Sequence, residues 1–384
     1  MAYFIADNII SSLGFTTVEN FNSLLSGDIG IEKMEDADIY PGPFLASTID
    51  KTRLENEFRL LAHKYSNFSK FTVLEKLMIL SIDDALSQCQ PDVKSDKTAF
   101  IFSTTKGNID LLDKSKKDEF GPDRHLLWKM AEEISNFFGN PNKAICISNA
   151  CISGVLALNT AAMYINAGQY ETIVVCGGDL VSRFVVSGFM SFLSLSDEPC
   201  KPFDKDRKGL SLGEAAGTII LSEKPSASKQ GIKFMGGATA NDANHISGPS
   251  RTGEGSYIAI KKALFEAGMR TDQIDHISAH GTATPYNDEM ESIAIARHNL
   301  QKAATNGIKG SVGHTLGAAG IIETAILLEE MRNNTVLKTS GYKNHGVGEQ
   351  INVSTENSGL ELNTCLKMAS GFGGSNAALI LQKI

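Results

Sequence analysis

In the stretch Ala144-Ile-Cys-Ile-Ser-Asn-Ala-Cys151-Ile-Ser-Gly-Val-Leu-Ala-Leu158, the residue pattern changes character at its centre. Ile145 and Ile147 form a β-branched run that gives way to the small, turn-prone Ser148, Asn149 and Ala150. From Cys151 an apolar, alanine-rich segment continues to about Ala167 and is stopped by Gly168. The pattern predicts a strand, a sharp turn and a helix, with one thiol at the hinge. Free N–H groups and the helix macrodipole favour thiolate over thiol at such a position. The nucleophile of the serine elbow enzymes is placed by the same logic. The opposing reading is a small buried hydrophobe, which is how most free cysteines behave.

The composition limits what such a thiol could serve. With 384 residues the chain exceeds one ordinary domain, so two domains or a large duplicated unit is expected. Hydrophobic residues at 42% and charged residues at 21% describe an ordinary globular protein with ample core. A net charge of −8 argues against nucleic-acid binding, which calls for a basic face, although an acidic partner could still dock on a local basic patch. None of the six cysteines forms a Cys-x-x-Cys pair, so no zinc site is expected. No apolar run approaches a membrane span. The apolar N-terminus lacks a preceding basic residue and is interrupted by Asp7, so no secretory signal is read there. Free thiols fit a reducing cytoplasm.

Outward from the hinge, strands and helices alternate. Strands are expected in residues 1–10, 97–102 and 171–176, and helices in 20–25, 51–64, 71–89 and 128–138, with 112–124 as an exposed excursion. Gly213 to Lys224 reads as a turn entering a buried strand, and Gly373 to Lys383 repeats it. That echo predicts an internal duplication with its seam near Pro225 to Gly231. The second copy holds a helix over 257–268, a strand over 274–279 and an apolar helix over 316–331. A further helix, 288–300, would be capped by Asn287 or Asp288. The expected class is α/β with mixed sheets, divided into residues 1–225 and 226–384.

Three further sites carry chemistry. Ala279-His-Gly-Thr-Ala-Thr-Pro285 sends a histidine out of a strand into a Gly-Thr turn. Ile308-Lys-Gly-Ser-Val-Gly-His-Thr-Leu-Gly-Ala-Ala-Gly320 sets Lys309 and His314 before an apolar helix, and Ser370-Gly-Phe-Gly-Gly-Ser-Asn376 is a glycine-rich turn. Ligand sites in open α/β folds lie beyond the carboxyl ends of strands, where Cys151, His280 and the Phe372 loop are all expected. His276 and His280 have helical zinc spacing but fall in a strand, and Gly371 to Gly374 precedes a strand rather than a nucleotide-binding helix.

These motifs resemble, in order and spacing and over nearly the whole chain, those of the β-ketoacyl-(acyl carrier protein) synthases. Ala150-Cys-Ile-Ser-Gly154 is similar to their nucleophile motif and His280 to Asp288 to their first histidine motif. Lys309 to Gly320, with Glu323, resembles the lysine–histidine motif, Gly371 to Asn376 the terminal turn, and Pro202 to Gly209 the middle loop. The resemblance implies a thiolase-like fold, internally duplicated and layered α-β-α-β-α with two mixed sheets. The first half would carry Cys151 and the second both histidines.

The chemistry it implies is a decarboxylative Claisen condensation. Cys151 would carry the acyl chain, and His280 and His314 would donate Nε–H to the malonyl thioester oxygen. Lys309 would hold the histidines with a carboxylate network of Asp288 and Glu323. The backbone N–H groups of Cys151 and Phe372 would form an oxyanion hole, with Phe372 as a gate. Phe189, Met190 and Phe192 are candidates for the acyl pocket, and Lys201, Lys205, Arg207 and Lys208 for docking an acidic acyl carrier protein. The resemblance implies a homodimer, or a heterodimer with a chain-length-factor-like subunit, and no metal or organic cofactor.

The chain departs from the family pattern at Asn287 and Ala215, where glycine is usual, at Ser370, where an aromatic is more common, and at Lys106, where many relatives have small or apolar residues. These departures point toward a specialised pathway, such as polyene or pigment synthesis. The alternative is a non-catalytic or weakly active chain-length-determining partner of a ketosynthase. Cys151, His280 and His314 argue against that reading. A thiolase or initiating synthase would favour other third residues, and no protease signature supports a cysteine hydrolase.

Overall fold

A computed structural model describes every residue except 62, 63, 66–69, 114, 115, 117, 118, 227, 228, 243 and 245–247. Parts of the expected 51–64 helix, the 112–124 excursion and the 225–231 seam therefore lie outside the described residues.

One strand pattern occurs twice. The first five strands of the main, ten-stranded sheet are β1 (Tyr3–Ile10), β2 (Thr98–Ser103), β3 (Ile145–Ile147), β4 (Thr172–Asp179) and β5 (Ala215–Ser222). They lie in the order β3-β2-β4-β5-β1, parallel from β3 to β4 and antiparallel from β4 through β1. The next five are β6 (Ile232–Asn241), β7 (His276–Ser278), β8 (Ala304–Asn306), β9 (Thr364–Gly371) and β10 (Ser375–Lys383). Their order, β8-β7-β9-β10-β6, has the same senses at the same places. Two residue pairs, Tyr3 with Lys233 and Phe4 with Ile232, join β1 to β6, so the two five-stranded mixed halves meet edge to edge in one ten-stranded sheet.

Alternation along the strands builds the layers. In β2, Phe100 and Phe102 face α1 (Val73–Cys89), whereas Ala99 and Ile101 face α2 (Ser153–Asn166). In β10, Leu379 and Leu381 face the same central core as α2, and Ala378 and Ile380 face α4 (Glu254–Ala267) on the far side. The central layer is α2 packed on α6 (Ala319–Asn333), so nearly every face of both helices is apolar. Their approach is close. A Cβ on Gly154 would lie 2.7 Å from the Ile321 nitrogen and 3.0 Å from the Gly320 Cα. The duplicated α-β-α-β-α fold expected from the sequence is the one observed. No helix among the described residues is long and apolar enough to cross a membrane.

Two details differ from expectation. Strand β4 runs on through Gly177, Gly178 and Asp179, because each pairs with β5. Helix α5 (Pro285–Arg297) begins earlier than its expected cap, with Thr284 as N-cap and Pro285 at the first position. Proline is pre-organised there and loses no hydrogen bond, so Asn287 and Asp288 fall inside the first turn.

Candidate active site

Cys151 sits at a strained elbow. Ala150 just before it has φ +45°, a left-handed conformation that costs a non-glycine residue about 1–3 kcal/mol. Ser153 pins the turn: its hydroxyl donates to Ala150 O at 2.6 Å and accepts from Asn149 N at 2.8 Å. The thiol is thus presented beyond the end of β3, just ahead of α2.

His280 follows β7, and His314 leaves a short helix, Lys309–Val312, through Gly313. His314 Nε2 lies 3.0 Å from Cys151 Sγ, and the two imidazoles meet edge to face with centroids 5.2 Å apart. Lys309 Nζ donates to His280 Nδ1 at 3.1 Å and to His280 O at 2.5 Å, and it is ion-paired with Glu323. An ammonium has only protons to offer, so His280 Nδ1 accepts and its proton stays on Nε2. His314 Nδ1 has no partner among the described residues. A proton there would be a buried, unpaired donor, which is costly; the Nε2–H tautomer avoids that.

Burial, with Lys309 close by, drives both histidine pKa values well below 6.5, so both rings are neutral donors. Burial also pushes the Cys151 thiol up to about 12, against the opposing pull of Lys309 and Lys106. This corrects the expectation of a resting thiolate: Cys151 is buried at the foot of its elbow, and desolvation outweighs the pull of those charges. Cys151, His280 and His314 offer three ligand atoms within 4.8 Å of one another. A cation held there would face the Lys309 ammonium directly behind His280.

A cavity of about 460 Å³ opens onto these groups, lined among others by Phe192, Thr282, Thr284, Asn287, Phe372 and Asn376. Phe372 stacks on Phe189 with centroids 5.5 Å apart and meets Phe192 at 5.2 Å, both belonging to or just following α3 (Arg183–Ser191). Gly373 and Gly374 after it are left-handed, at φ +83° and +73°, and Asn376 and Ser370 brace the turn. A Cβ on Gly371 would lie 3.0 Å from the Cys151 nitrogen, so only glycine lets this turn approach the elbow so closely.

Two family models match the chain: the β-ketoacyl synthase N-terminal domain over residues 17–227 and its C-terminal domain over 233–343. The chain belongs to the β-ketoacyl synthase family. It is 28% identical over 419 aligned positions, 97% of each chain, to a putative mitochondrial 3-oxoacyl-[acyl-carrier-protein] synthase of Schizosaccharomyces pombe. A 3-oxoacyl-[acyl-carrier-protein] synthase 2 of Rhizobium meliloti is 34% identical over 259 residues, 63% of this chain and 61% of the relative. Among solved structures, a ketosynthase complexed with its chain length factor from Xenorhabdus doucetiae superposes with a TM-score of 0.86 at 25% identity, covering 100% of this chain and 98% of that one. The chain is therefore an acyltransferase of the condensing class, with the thiolase-like fold.

Within this synthase some expected residues fall elsewhere. Asp288 does not reach Lys309. It accepts from Thr282 N, Ala283 N and Phe203 N, so it shapes the His280–Thr284 turn from below. Lys309 holds His280 but makes no bond to His314. Phe189 and Phe192 line the cavity, whereas Met190 does not and packs against the apolar cluster that includes Phe44 and Val186. Arg207 is not free to dock a partner: its guanidinium is spent on the carbonyls of Asp204, Gly346 and Pro285. Lys201 pairs with Glu198 at 2.7 Å, Lys208 pairs with Asp197 and Glu198 at the cavity mouth, and Lys205 is exposed.

Three groups went unread in the sequence. Glu291, one helical turn beyond Asp288, accepts from His280 N and Gly281 N at 2.7 Å, and Asn287 caps it at 2.8 Å. Lys367 on β9 pairs with Glu323 at 2.6 Å and donates to Ala279 O, so Glu323 bridges two buried ammoniums. Asp179 accepts from the backbone of Thr105, Lys106 and Gly317 and ties the loop after β2 to the His314 segment. A charged residue inside an apolar strand was the available signal for Lys367 and Asp179.

Proposed function

We propose that the chain condenses a Cys151-bound acyl group with malonyl carried on an acyl carrier protein. The observation that carries this reading is the 3.0 Å approach of His314 Nε2 to Cys151 Sγ, with a second neutral histidine beside it. In the first step Cys151 sulfur attacks the carrier-bound thioester. The C–S bond to the carrier breaks, and the thiol proton leaves with the carrier sulfur. Malonyl then loses CO₂, and the released electron pair becomes an enolate whose oxygen receives Nε2–H from His280 and His314. Such donors act where charge develops, which is why neutral, pre-aimed imidazoles suit the step. The enolate carbon attacks the acyl-Cys151 carbonyl, whose oxyanion is held by the N–H groups of Cys151 and Phe372. Collapse breaks the bond to Cys151 and expels it as a thiolate, which takes one proton from solvent through the open cavity to restore the thiol.

In this reading Lys309 and Glu323 position His280 and are not bases, Asp288 and Glu291 fix its turn, and Phe372 swings from Phe189 and Phe192 to admit the chain. Residues 1–225 would supply the nucleophile and 226–384 the decarboxylating pair, a division supported by the repeated strand order. The partners are acyl- and malonyl-loaded carrier proteins and a second subunit, either another copy or a chain-length-factor-like chain, in the cytoplasm. The exposed Lys205, and Lys208 at the mouth by exchanging its exposed pairs with Asp197 and Glu198, would meet an acidic carrier.

Intact-protein mass spectrometry after incubation with acyl-carrier donors of varied length tests the proposal. The expected result is an adduct on Cys151 that disappears in Cys151→Ala and yields a β-ketoacyl product on adding malonyl carrier. A folded protein that takes up no acyl group from any donor would leave only the non-catalytic partner role.

A further inference from the structure

Lys106 is a cation that the condensation does not use. It lies in the loop after β2, directly beside the elbow: Ser103 pairs with Ile147, and Thr104 N donates to Ile147 O at 3.3 Å, four residues before Cys151. Asp179 clamps this loop through Thr104 Oγ1, Thr105 N and Lys106 N, and the same carboxylate accepts from Gly317 N, three residues after His314. The backbone at Lys106 is therefore fixed relative to both catalytic segments. Its ammonium is not so occupied. Among the described residues it has no carboxylate partner. It makes one long hydrogen bond, 3.4 Å to the carbonyl of its own neighbour Thr105, and stands 5.9 Å over the ring of Phe184.

Phe184 is on α3, the helix that carries Phe189, against which Phe372 stacks. The entrance cavity is lined by Cys151, Phe189 and Phe372 but by neither Lys106 nor Phe184. Cys151 thus lies on the wall of the entrance cavity, and Lys106 lies outside that lining, in the loop held against the elbow through Ile147 and packed on α3 through Phe184. The charge reaches the thiol: after burial, which raises the Cys151 pKa, Lys309 and then Lys106 are the groups that pull it down. An ammonium has three protons to donate and strongly prefers oxygen acceptors. Half-buried beside the acyl-carrying sulfur with a single poor acceptor, it disfavours a hydrocarbon tail, which would strip water from it without replacement.

We propose that Lys106 selects the acyl group, favouring short chains whose far end carries an oxygen acceptor, a carboxylate or a phenol oxygen, over plain alkyl chains. This rests on Cys151 being the acylated residue. Lys106 Nζ donates to the terminal oxygen, and Phe184 covers the stem or ring beside it.

Matched carrier-bound donors test it, with Cys151 loading followed by intact-protein mass spectrometry: hexanoyl against adipoyl, and 3-phenylpropanoyl against 3-(4-hydroxyphenyl)propanoyl. The wild-type protein should load the oxygen-terminated member of at least one pair about tenfold faster, since a site built to hydrogen-bond an oxygen rejects the analogue lacking it. The pair that responds identifies the oxygen. Lys106→Met should remove or reverse the ranking while still loading hexanoyl, and Lys106→Arg should preserve it. Equal loading within both wild-type pairs, or a ranking that survives Lys106→Met, overturns the proposal while leaving the condensing function intact. A Lys106→Met protein that changes assembly state but keeps the wild-type ranking assigns the lysine to a subunit contact and overturns it equally. No loading of any donor on folded wild type would instead defeat the condensing function itself.

Discussion

His314 Nε2 and Cys151 Sγ lie 3.0 Å apart although 163 residues separate them in the chain. The pair is neutral on both sides, an imidazole far below its usual pKa facing a thiol far above its own. A Cys–His ion pair would be reactive toward any electrophile. A neutral pair in a buried recess holds its reactivity until a thioester arrives.

Alkylation of Cys151 by iodoacetamide should therefore be slow at neutral pH and rise about tenfold per unit from about pH 7 to pH 10, because only the thiolate reacts. A plateau below pH 9 would show that the thiol is already ionised and contradict its raised pKa.

His280 touches Lys309 and not the sulfur, so its role can be separated from loading. His280→Ala should still form acyl-Cys151, whereas single-turnover condensation with malonyl carrier should fall about 100- to 1000-fold, the usual cost of one donor to a developing oxyanion. Equal loss in both half-reactions would make His280 a structural group.

Burial, reinforced by Asp288, raises Glu291 from 4.5 to about 7. Its folded-state pKa exceeds the unfolded one, so the contribution is fully present below pH 4.5 and is lost as pH rises through 7. The shift corresponds to about 3 kcal/mol. Glu291→Gln cannot titrate, so urea unfolding should show the wild-type advantage over the variant shrinking by about that amount between pH 4.5 and pH 7.5. A pH-independent difference would refute the raised pKa.

Gly154→Ala puts a methyl group against the backbone of α6, at 2.7 Å from Ile321 N, where neither side can yield by a side-chain rotation. Overpacking of this kind costs about 1–3 kcal/mol. The urea midpoint should fall with an unchanged slope, and Cys151 loading should slow because α2 carries the elbow. An unchanged midpoint would mean the two helices are not held at this spacing.

Sequence alone determined the local pieces: the strand–elbow–helix at Cys151, the glycine-rich turns at His280 and Phe372, and the duplicated rhythm of turn and terminal strand. Each is written in contiguous residues, where period, branching and glycine placement act directly. Motif order was enough to name the family resemblance.

Only the tertiary structure decided how these pieces work together. Asp288 looked like a partner of Lys309 but faces its own turn, because α5 begins at Pro285 and directs that carboxylate back at Thr282 and Ala283. Arg207 read as a free cation, yet three carbonyls from separate segments consume it. The protonation of Cys151 and both histidines follows from burial, which is set by what two sheets and a central helix pair enclose. Desolvation is a property of the whole packed chain, and no local pattern of residues encodes it.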